Sequence, residues 1–338
     1  MTALLSPDYA KFRLENGKVI PGKRLEDKLK AIPIPEDLTG KTVLDVGCDY
    51  GQFSFLAASR GAANVLGLDR NRLVRDVGFV DLIEKCNYNA ERHGFSNCFF
   101  DRLDLGREWI EGGKRDIIFL FSLYHHIYEN CGDHLSIFYW LWRHCSEYVL
   151  WENPVDLQDA VAARHVSRDD YNEDSILDAA SEYFDIQYLG PAVHEPYRKV
   201  YKLTAKKIPP VEYRAQLLDG AGGATKAFQF NDGQRMREIE KILGFSPYPG
   251  SLNAALHQNF MWDKNYYRAA MMDVKDRKKG LSSEWHLRWA RFYPVTIDGI
   301  EAFAFRFEGE KYQANFIELI APIKLRDELK EFVCTILS

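Results

Sequence analysis

The stretch KTVLDVGCDYGQFSFLAASRGAANVLGLDR, residues 41–70, decides the fold of the chain around it. Its run TVLDV (42–46) is too short and too apolar for an amphipathic surface element, which is typical of a parallel strand covered on both faces. The turn GCDYG (47–51) follows, and its glycines let the backbone pass close to a ligand at the start of the next helix. A second strand over 64–68 ends in Asp69, whose carboxylate can accept hydrogen bonds from both hydroxyls of a ribose.

These residues resemble the S-adenosyl-L-methionine-binding core of class I methyltransferases, whose first motif reads D-x-G-x-x-x-G. The resemblance implies S-adenosyl-L-methionine as cofactor, bound by Asp45, Gly47, Cys48, Gly51, Asp69, Arg102, Leu103 and Ser122. A dinucleotide-binding unit would need G-x-G-x-x-G, and the turn GCDYG does not supply glycines at that spacing. An ordinary βαβ unit whose glycines serve only the turn is the remaining alternative.

Composition describes a folded protein of 338 residues, long enough for two domains, with 46% hydrophobic and 14% aromatic residues. The formal net charge of −5 argues against a constitutive nucleic-acid binder. The six cysteines show no C-x-x-C spacing, which together with the lack of a leader pattern indicates reduced thiols and a cytoplasmic location. No run of 18 apolar residues occurs, so we expect no membrane span.

The rest of the first half alternates helical and strand patterns, which predicts an α/β, Rossmann-like sheet. We expect a crossover helix within 71–93, an aromatic-rich helix over 134–146, and strands over 97–100, 116–122, 148–151, 184–189 and 199–204. Residues 101–104 stand where class I methyltransferases contact adenine, although a solvated loop is an equal alternative. The lead-in before residue 41 has a short likeness to tRNA wobble-uridine modifying methyltransferases.

The segment SLYHHIYE (122–129) follows the predicted fourth strand, at the sheet edge where open α/β sheets bind ligands. His125 and His126 are catalytic candidates, because an imidazole can act as a base for a hydroxyl or as a cation beside a phosphate. We expect one of the two to be a packed structural residue. The segment resembles the methyltransferase half of bacterial O-antigen chain-terminating kinase/methyltransferases. Tyr124 and Glu152 are possible acceptor-side residues, with a core or solvent role as an equal alternative.

KKIPP (206–210) breaks both patterns and marks the predicted boundary between a domain over 1–207 and a domain over 211–338. The second domain has a predicted helix over 234–243 and then alternates strands with turns. Those strands are expected over 285–293, 295–297, 302–306 and 314–320. The pattern is typical of a small β-barrel with few helices.

LGFSPYPGSLNAAL (243–256), IELIAPIKLRDEL (317–329) and a glycine-rich patch at 219–224 resemble three segments of archaeal CTP-dependent riboflavin kinases, over roughly residues 215–337. The resemblance implies that CTP phosphates are cradled by Gly220, Ala221, Gly222, Gly223 and Ala224, with Lys324 and Arg326 near the nucleotide. It places Ser251 and Asn253 at Mg²⁺ and Glu318 at the acceptor hydroxyl. A proline–glycine turn without a ligand is the alternative for the PYPG segment.

The chain departs from that family at three places. Gly223 and Ala224 replace the last two residues of the family's G-x-G-E-G loop, and Glu310 falls where the family has a flavin-contacting threonine. The turn before the last strand is also shortened, at 330–332. Nucleotide binding is therefore predicted, while the acceptor stays open.

The leading hypothesis is a bifunctional enzyme that phosphorylates an acceptor hydroxyl, on a small molecule or a glycan end, and methylates the product. One alternative is an authentic riboflavin kinase fused to a methyltransferase. Another is a tRNA methyltransferase whose barrel binds RNA without catalysis, and a last one is a barrel that only recognises a nucleotide. The oligomeric state and the preference for CTP over ATP stay open.

Overall fold

The structure is a computed structural model. It describes residues 11–13, 19–21, 25–70, 72–74, 78–110, 112–154, 170–192, 198–218, 234–274, 285–309, 311, 313–324 and 331–336. The chain divides into two compact units. Unit 1 comprises Met1–Asp104, Gly112–Glu129 and Leu141–Lys206, and unit 2 comprises Leu105–Glu111, Asn130–Trp140 and Lys207–Ser338.

The first part of the chain alternates strands with helices. Its elements are β1 (Lys11–Arg13), β2 (Val19–Pro21), α1 (Leu25–Ala31), β3 (Thr42–Val46), α2 (Gln52–Ser59), β4 (Asn64–Asp69), β5 (Arg72–Val74), β6 (Gly78–Val80), α3 (Leu82–His93), β7 (Cys98–Arg102), β8 (Arg115–Phe121), α4 (Tyr124–Cys131), α5 (His134–Arg143), β9 (Cys145–Pro154), α6 (Glu173–Ser181), β10 (Phe184–Pro191) and β11 (Arg198–Ala205). The pairs β1–β2 and β5–β6 are small antiparallel hairpins.

Unit 1 is organised around a seven-stranded sheet in the order β10-β11-β9-β8-β3-β4-β7. Strands β7, β4, β3, β8 and β9 run parallel, and β11 runs antiparallel to both of its neighbours. Both β3 and β8 are buried along almost their whole length, as parallel strands covered on two faces should be. The predicted Rossmann-like sheet is confirmed.

Two helix predictions in this part of the chain need correction. The helix expected within 71–93 begins only at Leu82, because the Asp81 carboxylate accepts a hydrogen bond from the N–H of Glu84 and caps the helix there. Before it, the β5–β6 hairpin occupies part of the expected helix. The aromatic-rich helix ends at Arg143 rather than 146, since Cys145 already pairs with Arg115 in the sheet.

Unit 2 contains β12 (Val211–Leu217), α7 (Gln234–Leu243), β13 (Leu252–Leu256), β14 (Tyr267–Val274), β15 (Trp285–Ile297), β16 (Ile300–Phe307), β17 (Phe316–Ile320) and β18 (Glu331–Ile336). Strands β15, β16, β17, β13, β12 and β18 pair antiparallel in that order, and β18 returns to β15, which closes a six-stranded barrel. The predicted barrel is confirmed.

One long strand, β15, replaces the two strands expected over 285–293 and 295–297. Its first part pairs with β14 through Phe292, and its last part pairs with β18 from Val295 onward. Pro294 stands between the two sets of partners, where its missing N–H breaks neither ladder. The strand can therefore pass from one partner to the other without ending.

Candidate active sites

The turn after β3 is tied by hydrogen bonds to the end of β4. The N–H groups of Gly47 and Cys48 both donate to the carbonyl oxygen of Leu68, at 2.7 and 3.1 Å. The N–H of Asp49 donates to Asp69 Oδ2 at 2.8 Å. The turn and the acid at the end of β4 are thus one assembly, and the position of Asp69 fixes the loop that leads into α2.

Gly47 and Gly51 stand at the two ends of this turn, and both have left-handed backbone, with φ of 79° and 77°. A Cβ at Gly51 would lie 2.8 Å from Cζ of Phe100 and 2.9 Å from Cε2 of Phe55. A Cβ at Gly47 would lie 2.7 Å from Cδ2 of Leu123. Backbone conformation and close packing therefore both require glycine at these two positions.

Asp45 lies beneath the turn and is only 2% exposed. Its Oδ2 accepts a hydrogen bond from Ser54 Oγ at 2.6 Å, which ties β3 to α2. Burial raises the pKa of Asp45 to about 7, and the negative charge of Asp69 adds to this, while the Ser54 hydrogen bond and the charge of Lys28 oppose it. Cys48 is buried as well, so contact with a ligand at the turn falls to its backbone.

Asp69 presents a half-buried carboxylate at the end of β4. Oδ2 accepts from the N–H of Asp49 and Oδ1 from the N–H of Arg70, at 2.8 and 2.7 Å. These two hydrogen bonds hold the carboxylate at the end of the strand, beside the turn. The N–H of Leu103 donates to the carbonyl of Asp69 at 3.0 Å, which brings the predicted adenine segment beside the acid. Within that segment Leu103 is buried and Arg102 is exposed.

A cluster of charged side chains lies at the carboxyl ends of β8 and β9. Lys28 Nζ donates to Ser122 Oγ and to Glu152 Oε2, each at 2.9 Å. Ser122 Oγ donates to Glu152 Oε2 at 2.8 Å, and Arg198 Nη1 donates to Ser122 Oγ at 2.5 Å. Ser122 has a φ of 58°, and its N–H donates to the carbonyl of Glu152. Ser122 and Glu152 are candidates from the sequence, whereas Lys28 and Arg198 join them only in the folded structure.

The two histidines differ in their surroundings. Both lie in the first turn of α4, with ring centroids 4.1 Å apart. His125 is 1% exposed, whereas the side chain of His126 is 27% exposed and its Nδ1 lies 3.7 Å from Glu129 Oε2. His125 is thus the packed residue of the pair, and His126 is the one that solvent can reach. Tyr124 is fully buried and packs against Trp151.

In unit 2, Ser251, Asn253 and Glu318 come together on the barrel wall. Ser251 Oγ donates to Glu318 Oε1 at 2.5 Å. Asn253 on β13 stands directly opposite Glu318 on β17, so their side chains share one face of the sheet. In β13 the neighbours Leu252 and Ala254 are buried while Asn253 is half-buried, which directs its amide away from the barrel core.

The two sequence segments that suggested a kinase barrel meet in the structure. The N–H of Tyr248 in the first segment donates to the carbonyl of Ala321 in the second, at 2.8 Å. Lys324 follows in the second segment and is exposed. The other predicted nucleotide residues (Gly220, Ala221, Gly222, Gly223, Ala224 and Arg326) lie outside the described residues, as does Glu310.

One unit thus has a Rossmann-like sheet and the other a closed six-stranded barrel. A family model described as "Methyltransferase domain" matches residues 37–135. A second model, named for CTP-dependent riboflavin kinases and described as "Domain of unknown function DUF120", matches residues 220–331. The chain therefore joins a methyltransferase domain to a riboflavin kinase-like domain, as predicted.

Curated relatives match each part of the chain separately. The riboflavin kinase of Methanocella arvoryzae is 36% identical over 29% of this chain and 42% of its own length. That of Methanosarcina mazei is 30% identical over 40% of this chain and 58% of its own. The ribosomal protein L11 methyltransferase of Escherichia coli is 37% identical over 24% of this chain and 25% of its own. The chain spans about half the length of the riboflavin kinases it matches.

Solved structures match with low scores. The PH0226 protein of Pyrococcus horikoshii has a TM-score of 0.36 and 18% identity, over 50% of this chain and 83% of that one. A SAM-dependent methyltransferase of Aquifex aeolicus has a TM-score of 0.35 and 14% identity, over 53% and 92%. Within the part of the chain that the structure describes, no helix is long and apolar enough to cross a membrane.

Proposed function

We propose that the chain is a bifunctional enzyme that phosphorylates an acceptor hydroxyl with CTP and methylates the product with S-adenosyl-L-methionine. The acceptor is a small molecule or the end of a glycan. Joining the two activities in one chain raises the local concentration of the intermediate at the second site. The cytoplasmic location and the absence of a nucleic-acid partner stay predictions.

The contact between Ser251 and Glu318, with Asn253 beside them, carries the kinase half of the proposal. A hydroxyl, an amide oxygen and a carboxylate are hard donors, which suit Mg²⁺. Ser251 and Asn253 would hold this ion, which supplies charge neutralisation at the nucleotide phosphates when it is bound. Glu318 then orients the acceptor hydroxyl and accepts its proton, while Ser251 holds the carboxylate in place through the 2.5 Å hydrogen bond.

The methyltransferase half rests on the turn between β3 and α2. S-adenosyl-L-methionine supplies the methyl group when it is bound. Asp69, held in place by the N–H groups of Asp49 and Arg70, would accept the ribose hydroxyls. His126, half-buried at the start of α4, can take a proton from the acceptor, and the site otherwise acts by orienting the two reactants.

The test measures transfer of the CTP γ-phosphate to an acceptor panel by the full chain, with Asn253→Ala and the exposed Gln313→Ala as matched control. We expect Asn253→Ala to lower phosphorylation about tenfold or more, because a metal site loses affinity when a supporting group is removed. The variant should bind S-adenosylhomocysteine as wild type does. Unchanged phosphorylation in Asn253→Ala, or no transfer to any acceptor by the wild type, would count against the proposal.

An authentic riboflavin kinase fused to a methyltransferase is the second candidate. It is supported by the names of the archaeal relatives and by the family match over residues 220–331. A direct assay with riboflavin, CTP and Mg²⁺ separates the two candidates. Formation of flavin mononucleotide at rates above those with the other acceptors would favour the second candidate.

A further inference from the structure

Three arginine side chains lie in one row across neighbouring strands of unit 2. Arg291 on β15 stands directly opposite Arg268 on β14 and opposite Arg306 on β16, and these three residues form the arginine row. Residues in such positions have Cβ atoms about 4.5–5.5 Å apart, and like charges placed there repel each other. Negative charge beside the arginine row therefore stabilises it.

Glu308 supplies one negative charge to the arginine row. Arg268 Nε and Nη2 donate to Glu308 Oε1 and Oε2 at 2.8 and 2.9 Å, which is a bidentate ion pair. Arg291 Nε makes a longer hydrogen bond to Glu308 Oε1, at 3.2 Å. Burial acts to raise the pKa of Glu308, but the hydrogen bonds and charges of the two arginines lower it, so the carboxylate is ionised at neutral pH. Among the described residues, no other carboxylate lies within ion-pair distance of the row.

The guanidinium groups of Arg291 and Arg306 converge on a single backbone oxygen. Arg291 Nη1 and Arg306 Nη2 both donate to the carbonyl of Trp262, at 3.3 and 3.4 Å. Their Cζ atoms lie 4.4 Å from the ring centroid of Tyr266 and 4.3 Å from that of Trp262, respectively. Both rings are buried, so they hold the two guanidinium groups side by side before any ligand arrives.

Solvent can reach these two guanidinium groups. The side chain of Arg291 is 27% exposed, and Arg306 is half-buried. A guanidinium has five N–H donors, and within the described part of the chain the hydrogen bonds use two donors of Arg291 and one of Arg306. The remaining donors are available to an anion that enters from solvent.

The arginine row and the candidate kinase site lie on opposite faces of the barrel sheet. Arg306 is two residues from Ala304, which is buried in the barrel core, so both side chains point to the same face. Phe305 lies between them and points to the other face, and it stands directly opposite Glu318 on β17. The arginine row is thus separate from the site that carries the kinase proposal.

We propose that Arg291 and Arg306 bind a phosphate group, either as the free ion or as part of a small phosphate ester. A guanidinium matches phosphate geometry, since two parallel N–H groups can donate to two phosphate oxygens. Glu308 offsets one of the three positive charges of the row, and a phosphate ester, which is largely dianionic at neutral pH, balances the other two. A carboxylate would balance only one. This binding site goes beyond the proposed phosphorylation and methylation and does not depend on either.

The test is calorimetric titration of the full chain, without Mg²⁺, with inorganic phosphate in one arm and glycerol 3-phosphate in the other. The variants are Arg306→Gln and Arg291→Gln, with Arg214→Gln as matched control, since Arg214 is an exposed arginine on β12 of the same barrel. We expect each variant of the arginine row to weaken binding about tenfold or more, as loss of charged hydrogen bonds should. Arg214→Gln should stay within about threefold of wild type. The arm that binds more tightly identifies the free ion or the ester as the ligand.

Affinity for both probes that is unchanged in Arg306→Gln and in Arg291→Gln overturns the proposal. Failure of the wild type to bind either probe does the same. Thermal unfolding without phosphate reports whether each variant is folded, and phosphate should raise the melting temperature of the wild type but not that of the arginine variants. Arg306→Lys, which keeps the charge but loses the paired donors, replaces a variant that does not fold and should weaken binding about threefold or more.

A further variant separates this site from the candidate kinase site. Asn253→Ala alters the opposite face of the sheet, so it should bind both probes as the wild type does. Binding that is lost in Asn253→Ala and kept in Arg306→Gln would place the anion at the kinase site and reject the arginine row as its receptor.

Discussion

Replacing Trp109 by alanine should destabilise unit 2, although Trp109 lies far from the barrel strands in sequence. The indole is fully buried and stacks on the ring of Tyr267, with centroids 5.2 Å apart and planes 8° from parallel. Its Nε1–H donates to the carbonyl of Arg268 at 3.1 Å, and its backbone N–H donates to the carbonyl of Ile242 at 2.7 Å. The indole is therefore in contact with β14, and the backbone beside it with α7.

The size of the effect follows from these contacts. Truncating a buried tryptophan to alanine costs about 3–5 kcal/mol, which includes the cavity. The substitution also removes the stacking on Tyr267 and leaves the Arg268 carbonyl without its donor. These two losses place the cost of Trp109→Ala in the upper part of that range. For a unit of about 150 residues, 4 to 5 kcal/mol lowers the melting temperature by roughly 10–15 °C.

The assay combines thermal unfolding of the full chain with hydrogen exchange read on peptides covering β14 and α7. Trp109→Phe keeps an aromatic ring but loses the N–H donor, so we expect it to lower the free energy of unfolding by about 1–2 kcal/mol. Ile110→Ala, at a neighbouring residue that is 41% exposed, is the matched control and should cost less than about 1 kcal/mol. If Trp109→Ala melts like wild type, or leaves exchange in β14 unchanged, the assignment of this segment to unit 2 is refuted.

Three further predictions concern unit 1. The folded state binds the proton of Asp45 more tightly than the unfolded chain does, so stability falls as pH rises from 3.8 to about 7. Asp45→Asn should flatten this dependence in urea unfolding at pH 5 and 8, and an unaltered slope would contradict it. Gly51→Ala forces a side chain into left-handed backbone against Phe100, so it should cost more than about 1 kcal/mol and weaken S-adenosylhomocysteine binding in calorimetry. Binding and stability equal to wild type would show that the turn tolerates a side chain. His126→Ala should lower kcat for methyl transfer about 100-fold with little change in melting temperature, and equal kcat would exclude His126 as base.

The local parts of the fold could be predicted because their signals are local. The turn from Gly47 to Gly51 needs glycine at both ends because the backbone there has a positive φ, and the strand before it is a short apolar run. The helical pattern over residues 234–243 predicts the bounds that the structure has. By contrast, the start of α3 depends on the Asp81 cap, which a broad apolar pattern across 71–93 concealed.

The cluster of Lys28, Ser122, Glu152 and Arg198 could not be predicted in full, for a physical reason. Lys28 and Glu152 lie 124 residues apart in sequence, and Arg198 and Ser122 lie 76 apart. A lone lysine on an amphipathic helix and a lone arginine at the start of a strand resemble ordinary surface residues. Only the folded sheet, which brings the ends of β8, β9 and β11 to one edge, shows that they are partners.

The set of segments that make up unit 2 could not be predicted from the sequence either. Residues 105–111 and 130–140 lie within the predicted first domain, yet both belong to unit 2. The hydrogen bond from the N–H of Arg268 to Ser136 Oγ, at 2.9 Å, is one of the contacts that place them there. No composition shift or change of periodicity marks these short segments in the sequence.

Because residues 105–111 belong to unit 2, unit 2 can be completed only late in synthesis of the chain on the ribosome. Trp109 and its acceptor at Arg268 are 159 residues apart. At about 5–20 residues per second, the indole waits roughly 10–30 s before β14 is made. During that interval the strand that covers the indole does not yet exist, and unburied apolar surface of this kind favours aggregation of a nascent chain. Slow translation through the barrel strands should therefore lower the yield of folded protein more than slow translation of the preceding sheet.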